Sequence, residues 1–312
     1  MKKLRFGLIG AGAYVAPRHI VAIADTGNDL VCAFDPYDSV GILDRHFLGC
    51  EFFTEFARFD RFVDKSRRHR EPLDWLVIVC PNYLHDAYIR YGLRNGINVI
   101  CEKPLVTSPW NLDGLTEHET ESRHRVFGIM QMRIHPETRR IQTHVRETLG
   151  RKRVSLRYVT ARGPWFEQSW KGNEEKSGGI ATNIGIHFLD LLISTFGNEI
   201  DTTLSHAETS RIVGHSAFER ADVDWFLSYN PDDLDADKRG SLADGLAASR
   251  SLVVDGESFD FSTGFERLHT DSYLDILAGR GFGINDARPS IELAYKIRQL
   301  AHDVPRVCPH LR

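Results

Sequence analysis

Leu4-Arg5-Phe6-Gly7-Leu8-Ile9-Gly10-Ala11-Gly12-Ala13-Tyr14-Val15-Ala16-Pro17 is the stretch that decides the fold. A short apolar run ends in Gly10 and Gly12, and a helical pattern follows from about Pro17 to Ala24. Strand, glycine turn and helix in that order form a dinucleotide-binding fingerprint. The first glycine permits a tight turn, and the second lets the backbone approach a pyrophosphate at the helix N-terminus. The third small position is occupied by Val15, with Ala16 next. On its own the turn also fits any glycine-rich loop of an α/β protein. Asp35 strengthens the nucleotide reading, because it ends the next apolar run, 23 residues beyond Gly12. A carboxylate there accepts from ribose hydroxyls. No Arg or Lys occurs from Asp35 to Leu43, so a 2′-phosphate would find no cationic partner and NAD is the expected cofactor.

Working outward, strand and helix signals keep alternating, the mark of a doubly wound parallel sheet. Strands are expected at Leu30–Phe34, Trp75–Cys80, Ile97–Cys101 and Val126–Met130. Helices are expected from about Leu84 to Arg94, and from Ser108-Pro109 to about Arg123, with Ser108 as cap and Pro109 in the first turn. Beyond about residue 150 the pattern changes. Val154, Leu156 and Tyr158 alternate with polar residues, as do Ala221, Val223, Trp225, Leu227 and Tyr229. Leu252–Val254 and Phe259–Phe261 flank Asp255-Gly256, a hairpin signal. This is the grammar of a mostly antiparallel sheet with one open face. Residues 230–250 read as an acidic insertion, and a last helix is expected over about Asp286–Ala301. The expected organisation is α/β: an NAD-binding Rossmann domain over 1–125, and an α+β domain over 126–312 for substrate binding and oligomerisation. The last helix could pack on either.

Composition narrows the class. The chain has 312 residues, 42% hydrophobic and 26% charged, which suits a folded core rather than a disordered or fibrous chain. A net charge of -4 argues against general nucleic-acid binding. No apolar run approaches the ~20 residues of a membrane span, and the N-terminal apolar stretch, broken by Arg5, reads as mature structure rather than a leader. Five scattered cysteines without a C-x-x-C resemble neither a disulfide framework nor a zinc ribbon, so reduced thiols in the cytoplasm are expected.

Several residues could carry chemistry. Pro81, Asn82 and His85 follow one strand end, and Glu102, Lys103 and Pro104 follow another, the edge where open α/β sheets bind ligands. Gly10, Gly12, Ala13, Tyr14, Asp35 and Asp38 would complete the cofactor surface. By position alone Lys103 fits equally a surface lysine paired with Glu102. Lys176 to Asp190 reads as a glycine-rich turn opening a helix, with Asn183 and His187 four apart on one face. His187 alone also fits a hydrogen-bonded structural histidine. No His-Glu-x-x-His or Cys/His cluster at ligand spacing occurs, so no metal is expected. Arg133, His135, Arg162, Trp165, Trp170, Lys171 and Ser177 concentrate cationic, aromatic and hydroxyl groups. They fit surface charge, or a ligand bearing phosphates and a carboxylate.

Gly10-x-Gly12, Pro81-Asn82-x-x-His85, Glu102-Lys103-Pro104 and Gly178-Gly179…Gly185-x-His187-x-x-Asp190 together resemble the glucose-fructose oxidoreductase/inositol dehydrogenase family across most of the chain. Finer features look like its branch of UDP-N-acetylglucosaminuronate 3-dehydrogenases. These are Ala16-Pro17-Arg18-His19, Asp38-Ser39-Val40-Gly41, Glu51–Glu55, Ser169-Trp170-Lys171, Ala181–Gly185 and Gly264-Phe265-Glu266-Arg267-Leu268-His269-Thr270. The resemblance implies NAD-linked oxidation of the sugar C3 hydroxyl in amino-sugar synthesis for bacterial surface polysaccharide (O-antigen). It also implies NADH recycling by 2-oxoglutarate in some relatives, and dimers or tetramers packed through the open sheet face. His187 would be the base, Lys103 would assist, and Asn183 would orient the sugar or the imidazole. The wider family usually has Asp where this chain has Asn183, so any Asp-assisted step is lost. An inositol- or aldose-type dehydrogenase of an uncharged polyol, and a non-catalytic NAD-binding regulator, are the alternatives.

Overall fold

The structure, a computed structural model, describes residues 3–235 and 248–304. Two compact units divide the chain. The first holds residues 1–131 and 267–287, and the second holds 132–266 and 288–312.

The first unit is built on six parallel strands, β1 (Arg5–Ile9), β2 (Asp29–Phe34), β3 (Glu51–Phe53), β4 (Trp75–Ile78), β5 (Asn98–Cys101) and β6 (Val126–Gly128). Their spatial order is β3-β2-β1-β4-β5-β6, so the chain reverses its direction of winding between β1 and β4. The apolar run Trp75–Ile78 is buried at every position, as a strand covered on both faces requires. Phe6, Leu8, Val77 and Ile100 join the core with Ile20 and Ile23 of the Ala16–Asp25 helix. β6 lies inside this sheet, beyond the sequence-expected boundary at 125/126. The segment that returns to this unit, Arg267–Ala287, holds the helix before the last and the first turn of the last one. Leu268–Leu277 packs on the Ala16–Asp25 helix, with Tyr273 and Ile276 in the first core. One helix starts later than its cap residues suggest. The carbonyls of Ser108 and Pro109 accept the N–H groups of Asn111 and Leu112, so these two residues form a turn and the helix spans Asn111–Ser122.

The second unit carries β7 (Lys152–Thr160), β8 (Glu199–Ala207), β9 (Arg211–Phe218), β10 (Ala221–Ser228), β11 (Ala248–Val254) and β12 (Glu257–Asp260). Their order is β12-β11-β7-β10-β9-β8. Only the β7–β10 pair is parallel. Asp255 and Gly256 make the expected two-residue hairpin, with φ of 50° and 92°, the left-handed pair a type I′ turn needs. β8 escaped the sequence reading because its register shifts between Glu199/Asp201 and Leu204/His206, which breaks the period-two signal. The inner face packs on the Ile186–Phe196 and Pro136–Glu147 helices. Leu293, Ala294 and Ile297 of the Ile284–Asp303 helix also join this second core. The outer face carries a groove lined by Arg157, Thr203, His215, Asp224 and Phe226. The centre of the acidic 230–250 segment lies outside the described residues. Its start forms a short 3-10 turn at Pro231–Asp233.

The helical run Glu174–Phe196 is long and apolar enough to cross a membrane by length and composition, in contrast to the sequence expectation, but 72% of its most apolar window is buried inside the protein. It serves as the core helix of the second unit.

Trp225 is 2% exposed, and its Nε1 donates to Ser216 Oγ at 2.9 Å. Trp225→Ala is expected to destabilise the second unit by about 3–5 kcal/mol, the range for emptying a large aromatic site. Urea denaturation followed by far-UV circular dichroism would show a lowered midpoint.

Candidate active site

In the first unit the site starts where β1 ends. Gly10 has φ of +95°, and a Cβ there would lie 2.6 Å from the Cys80 nitrogen and 2.7 Å from the Val79 carbonyl carbon. Only glycine passes so close to the neighbouring strand end. Gly12 donates its N–H to Asp35 Oδ2 at 2.9 Å, and Tyr37 N–H donates to Asp35 Oδ1 at 2.9 Å. Asp35 is thus held at the tip of β2 by two backbone donors, and each oxygen keeps lone-pair capacity for ribose hydroxyls. A Cβ on Gly12 would meet the Asp35 carboxylate at 3.2 Å, so a side chain would fill the cradle. These residues fit an adenine dinucleotide. Val15, in the third fingerprint position, packs against the first core. Tyr14 and Asp38 are exposed, and Asn82 is buried after β4.

His85 plays another part than its place in the motif suggests. It is buried, with Nδ1 2.6 Å from the Pro104 carbonyl oxygen and Nε2 2.8 Å from that of Cys80. Both ring nitrogens face backbone carbonyls, to one of which a neutral ring can donate, and His85 thereby sits between the loop after β4 and the loop after β5. Burial lowers its pKa against the opposing pull of these carbonyls. Glu102 likewise turns inward. Its Oε1 lies 3.0 Å from Nε2 of both His19 and His269, and its Oε2 accepts the Lys103 N–H at 3.2 Å. Burial would raise this carboxyl, but the two imidazole hydrogen bonds outweigh it and hold it well below the usual range. Lys103 itself is half-buried at the C-terminal edge of the sheet. The three donor atoms of His19, Glu102 and His269 lie within 4.8 Å of one another, the cluster among the described residues with metal-ligand spacing. Spacing rules miss it because its members come from three distant segments.

In the second unit Asn183 sits in a π-helical turn, Ala181–Gly185, and His187 in the first turn of the following α-helix. π-turns inside helices recur at functional sites. From Ala181 to Ile193, Asn183 and His187 alone are half-buried and every neighbour is buried, so these two polar groups reach the helix surface. Asn183 lines a cavity of about 120 Å³ together with Lys171, Glu174, Ser177, Tyr229 and Arg298. Lys171 Nζ lies 5.2 Å from the Trp165 ring and 4.8 Å from that of Trp170, a cation–π arrangement. Burial, then the Arg162 charge, lowers the Lys171 pKa. Ser177 is buried, donates to the Asn173 carbonyl at 2.9 Å and accepts the Gly179 N–H at 3.1 Å.

Two residues assigned to an anionic ligand by sequence have other partners. Arg133 commits its planar fork to buried Asp190, at 2.9 and 2.7 Å. His135 is buried; its Nδ1 accepts the Glu137 N–H at 3.1 Å and its Nε2 donates to the Thr263 carbonyl at 2.9 Å. It caps a helix. The sequence reading also missed Arg298, which reaches the cavity from the last helix.

A doubly wound sheet with a glycine turn and a carboxylate at the tip of the next strand is the architecture of a dinucleotide-binding protein. Residues 4–129 match the profile described as "Oxidoreductase family, NAD-binding Rossmann fold", and residues 149–234 match "Oxidoreductase family, C-terminal alpha/beta domain". The chain belongs to this GFO/IDH/MocA family: it is an NAD-dependent oxidoreductase. It is similar to the WlbA (WbpB) dehydrogenase of Thermus thermophilus, solved with NAD and alpha-ketoglutarate, at 41% identity and a TM-score of 0.90 over 95% of both chains. The same dehydrogenase solved with NAD and UDP-GlcNAcA matches at 41% identity and a TM-score of 0.90, covering 95% of this chain and 94% of that one. A 2,7-anhydro-N-acetylneuraminate hydratase of Mediterraneibacter gnavus is 27% identical over 61% of this chain and 48% of its own length. The chain spans about half the length of that curated relative.

Gly10→Ala is expected to weaken NAD binding at least about tenfold, a loss of about 1.4 kcal/mol, as measured by calorimetric titration. A second expectation concerns acid. Burial lowers the pKa of His19, His85 and His135 from the usual 6.5. Below 6.5 the unfolded chain binds more protons at these sites, so stability falls as pH drops. The depressed Glu102 carboxyl adds stability above its unfolded value, and that is lost as pH falls through the folded one. Thermal melts should therefore shift downward from pH 7.5 to 5.

Proposed function

We propose that this oxidoreductase removes hydrogen from the C3 hydroxyl of UDP-N-acetylglucosaminuronic acid. The product is a 3-keto sugar, used in amino-sugar synthesis for bacterial surface polysaccharide. The observation that carries this reading is the cavity beside Asn183, which Lys171 lines with its amine over two indole rings and which Arg298 reaches 4.0 Å from Glu174, against a polar wall four residues from His187. A carboxylate and a diphosphate call for such groups, whereas an uncharged polyol needs none. The likeness to a dehydrogenase solved with NAD and UDP-GlcNAcA supports the same substrate. The one solved with alpha-ketoglutarate supports 2-oxoglutarate as the acceptor that recycles the reduced cofactor.

NAD, when bound, supplies the hydride acceptor. The chain's own groups handle the proton and the charge. His187 takes the hydroxyl proton, a task suited to an imidazole whose unperturbed pKa is ~6.5. Lys103 donates a hydrogen bond to the same oxygen as negative charge develops there. Asn183 cannot take a proton, so it orients the sugar or the imidazole. Arg162 and Lys171, joined by Arg298, hold the anionic groups. Arg133 drops out because its fork is engaged by Asp190.

The test is anaerobic incubation of NAD-loaded protein with UDP-N-acetylglucosaminuronic acid, followed by the absorbance of reduced cofactor with and without 2-oxoglutarate. Reduction is expected, with reoxidation on adding 2-oxoglutarate. His187→Asn and Lys103→Ala should each slow a single turnover by about 10²–10⁴-fold while leaving NAD bound. Near-normal rates in either variant would overturn the role of that residue. Turnover of free polyols but not of the UDP-sugar acid would overturn the substrate.

A further inference from the structure

The Phe56–Arg68 helix of the first unit has no part in the reaction just described. It buries Phe59, Val63 and Ser66. Its exposed side carries Arg58, Arg61, Lys65 and Arg68. Spacings of three, four and three residues confine these four to about 80° of the helix circumference, opposite the buried side, in a row about 15 Å long. Residues 55–70 hold six cations and three acids, a net charge of +3 in a chain of net charge -4. The three acids are already engaged. Asp64 pairs with Arg67 at 2.9 Å and with Arg68, Glu55 lies 3.6 Å from Arg58, and Asp60 accepts from Tyr91 Oη at 2.9 Å. Among the described residues Arg61, Lys65 and Arg70 have no ion pair.

Helix electrostatics do not account for the row. Cations are favoured in the last turn of a helix and disfavoured in the first, yet Arg58 lies in the first turn and Arg61 in the middle. Arg70, just past the helix, holds φ of +62°, where glycine is the easier residue. We propose that this face docks the protein on an anionic phospholipid surface. Three of the four side chains in the row are arginines, whose planar forks pair with phosphate oxygens in a bidentate fashion. Each unpaired cation near such a surface favours partitioning about fivefold. The helix lies in a layer beside the His85–Arg94 helix, with the Phe56 ring 5.1 Å from those of Tyr88 and Tyr91. Flanked by a neighbour and backed by a sheet, it presents a flat side rather than a projecting rod, which suits a plane better than a duplex groove. None of its aromatic residues is exposed to stack on unpaired bases. No large apolar side chain of the helix is exposed either, so the attraction is electrostatic, without insertion into hydrocarbon. Gly10 and Asp35 lie at the C-terminal ends of their strands, whereas the row faces away from the sheet, so docking leaves the cofactor crevice open. The inference does not rest on the substrate.

The test is co-sedimentation of the NAD-loaded full chain with sucrose-filled vesicles of phosphatidylcholine, alone or mixed with phosphatidylglycerol. Binding is expected to the mixed vesicles only, falling at least about tenfold between about 0.05 M and about 0.3 M salt. Arg61→Gln combined with Lys65→Gln should weaken it about 25-fold. Arg139→Gln combined with Arg153→Gln removes the same charge from exposed positions of the second unit and should leave binding within about twofold. NAD affinity and melting temperature show that both pairs of substitutions leave the chain folded. Absence of binding to the mixed vesicles at the lower salt overturns the proposal. So do equal losses in the two double variants, which would reveal a diffuse attraction with no docking face. A mixed-sequence RNA or DNA duplex that binds the wild-type chain and not the Arg61/Lys65 variant, with vesicles left unbound, would assign the face to nucleic acid and overturn it as well. Should the double variant not fold, Lys65→Gln alone, with an expected loss of about fivefold, decides.

Discussion

The first unit depends on the approach of Gly10 to the start of the loop after β4. The backbone at residue 10 lies so near Val79 and Cys80 that no Cβ fits. That contact falls between β1 and β4, where the winding of the sheet reverses. Strands on either side diverge there, and their C-terminal loops leave a crevice in which a nucleotide is bound. The Gly12 N–H, Asp35 and Tyr37 N–H are then arrayed along one rim by hydrogen bonds that need no ligand to form. The cofactor surface is pre-organised by the strand crossing, and the entropy of ordering it is lost during folding rather than on binding.

Ionisable residues divide into two populations that look alike in sequence. Arg133, His85, His135 and Glu102 spend their polar atoms inside the protein, on Asp190, on backbone carbonyls and amides, or on two imidazoles. Lys171 and Arg298 line a cavity, Arg298 with Glu174 4.0 Å away, and Asn183 and His187 are half-buried on an otherwise buried helix. The cost of burying an unpaired charge explains the first population. A buried group that cannot keep its water must find a fixed partner. Burial likewise disfavours the charged form of His19, His85 and His135.

The strand–glycine–helix opening, the alternation of parallel strands and helices, the Asp255-Gly256 hairpin and the candidacy of Lys103 and His187 were all legible from residue order. Each rests on a local rule: periodicity, a φ that only glycine adopts easily, or the position of a loop at a strand end. β8 was not legible because its bulges break the alternation that reveals a strand. The late start of the Asn111–Ser122 helix was hidden because the capping residues were used in a turn instead.

Residue order by itself determined the class of fold, the cofactor and the family. Those follow from backbone conformation over a few neighbouring residues, together with motifs that keep their order along the chain. Tertiary structure decided which charged groups are paired deep inside the protein and which line the cavity. His269 reaches Glu102 across 167 residues, His135 reaches Thr263 across 128, and Arg133 reaches Asp190 across 57. Pairings at such separations are selected by the packing of whole helices and sheets, which no local pattern encodes. The same packing turned two unassigned motifs into the cage around Glu102.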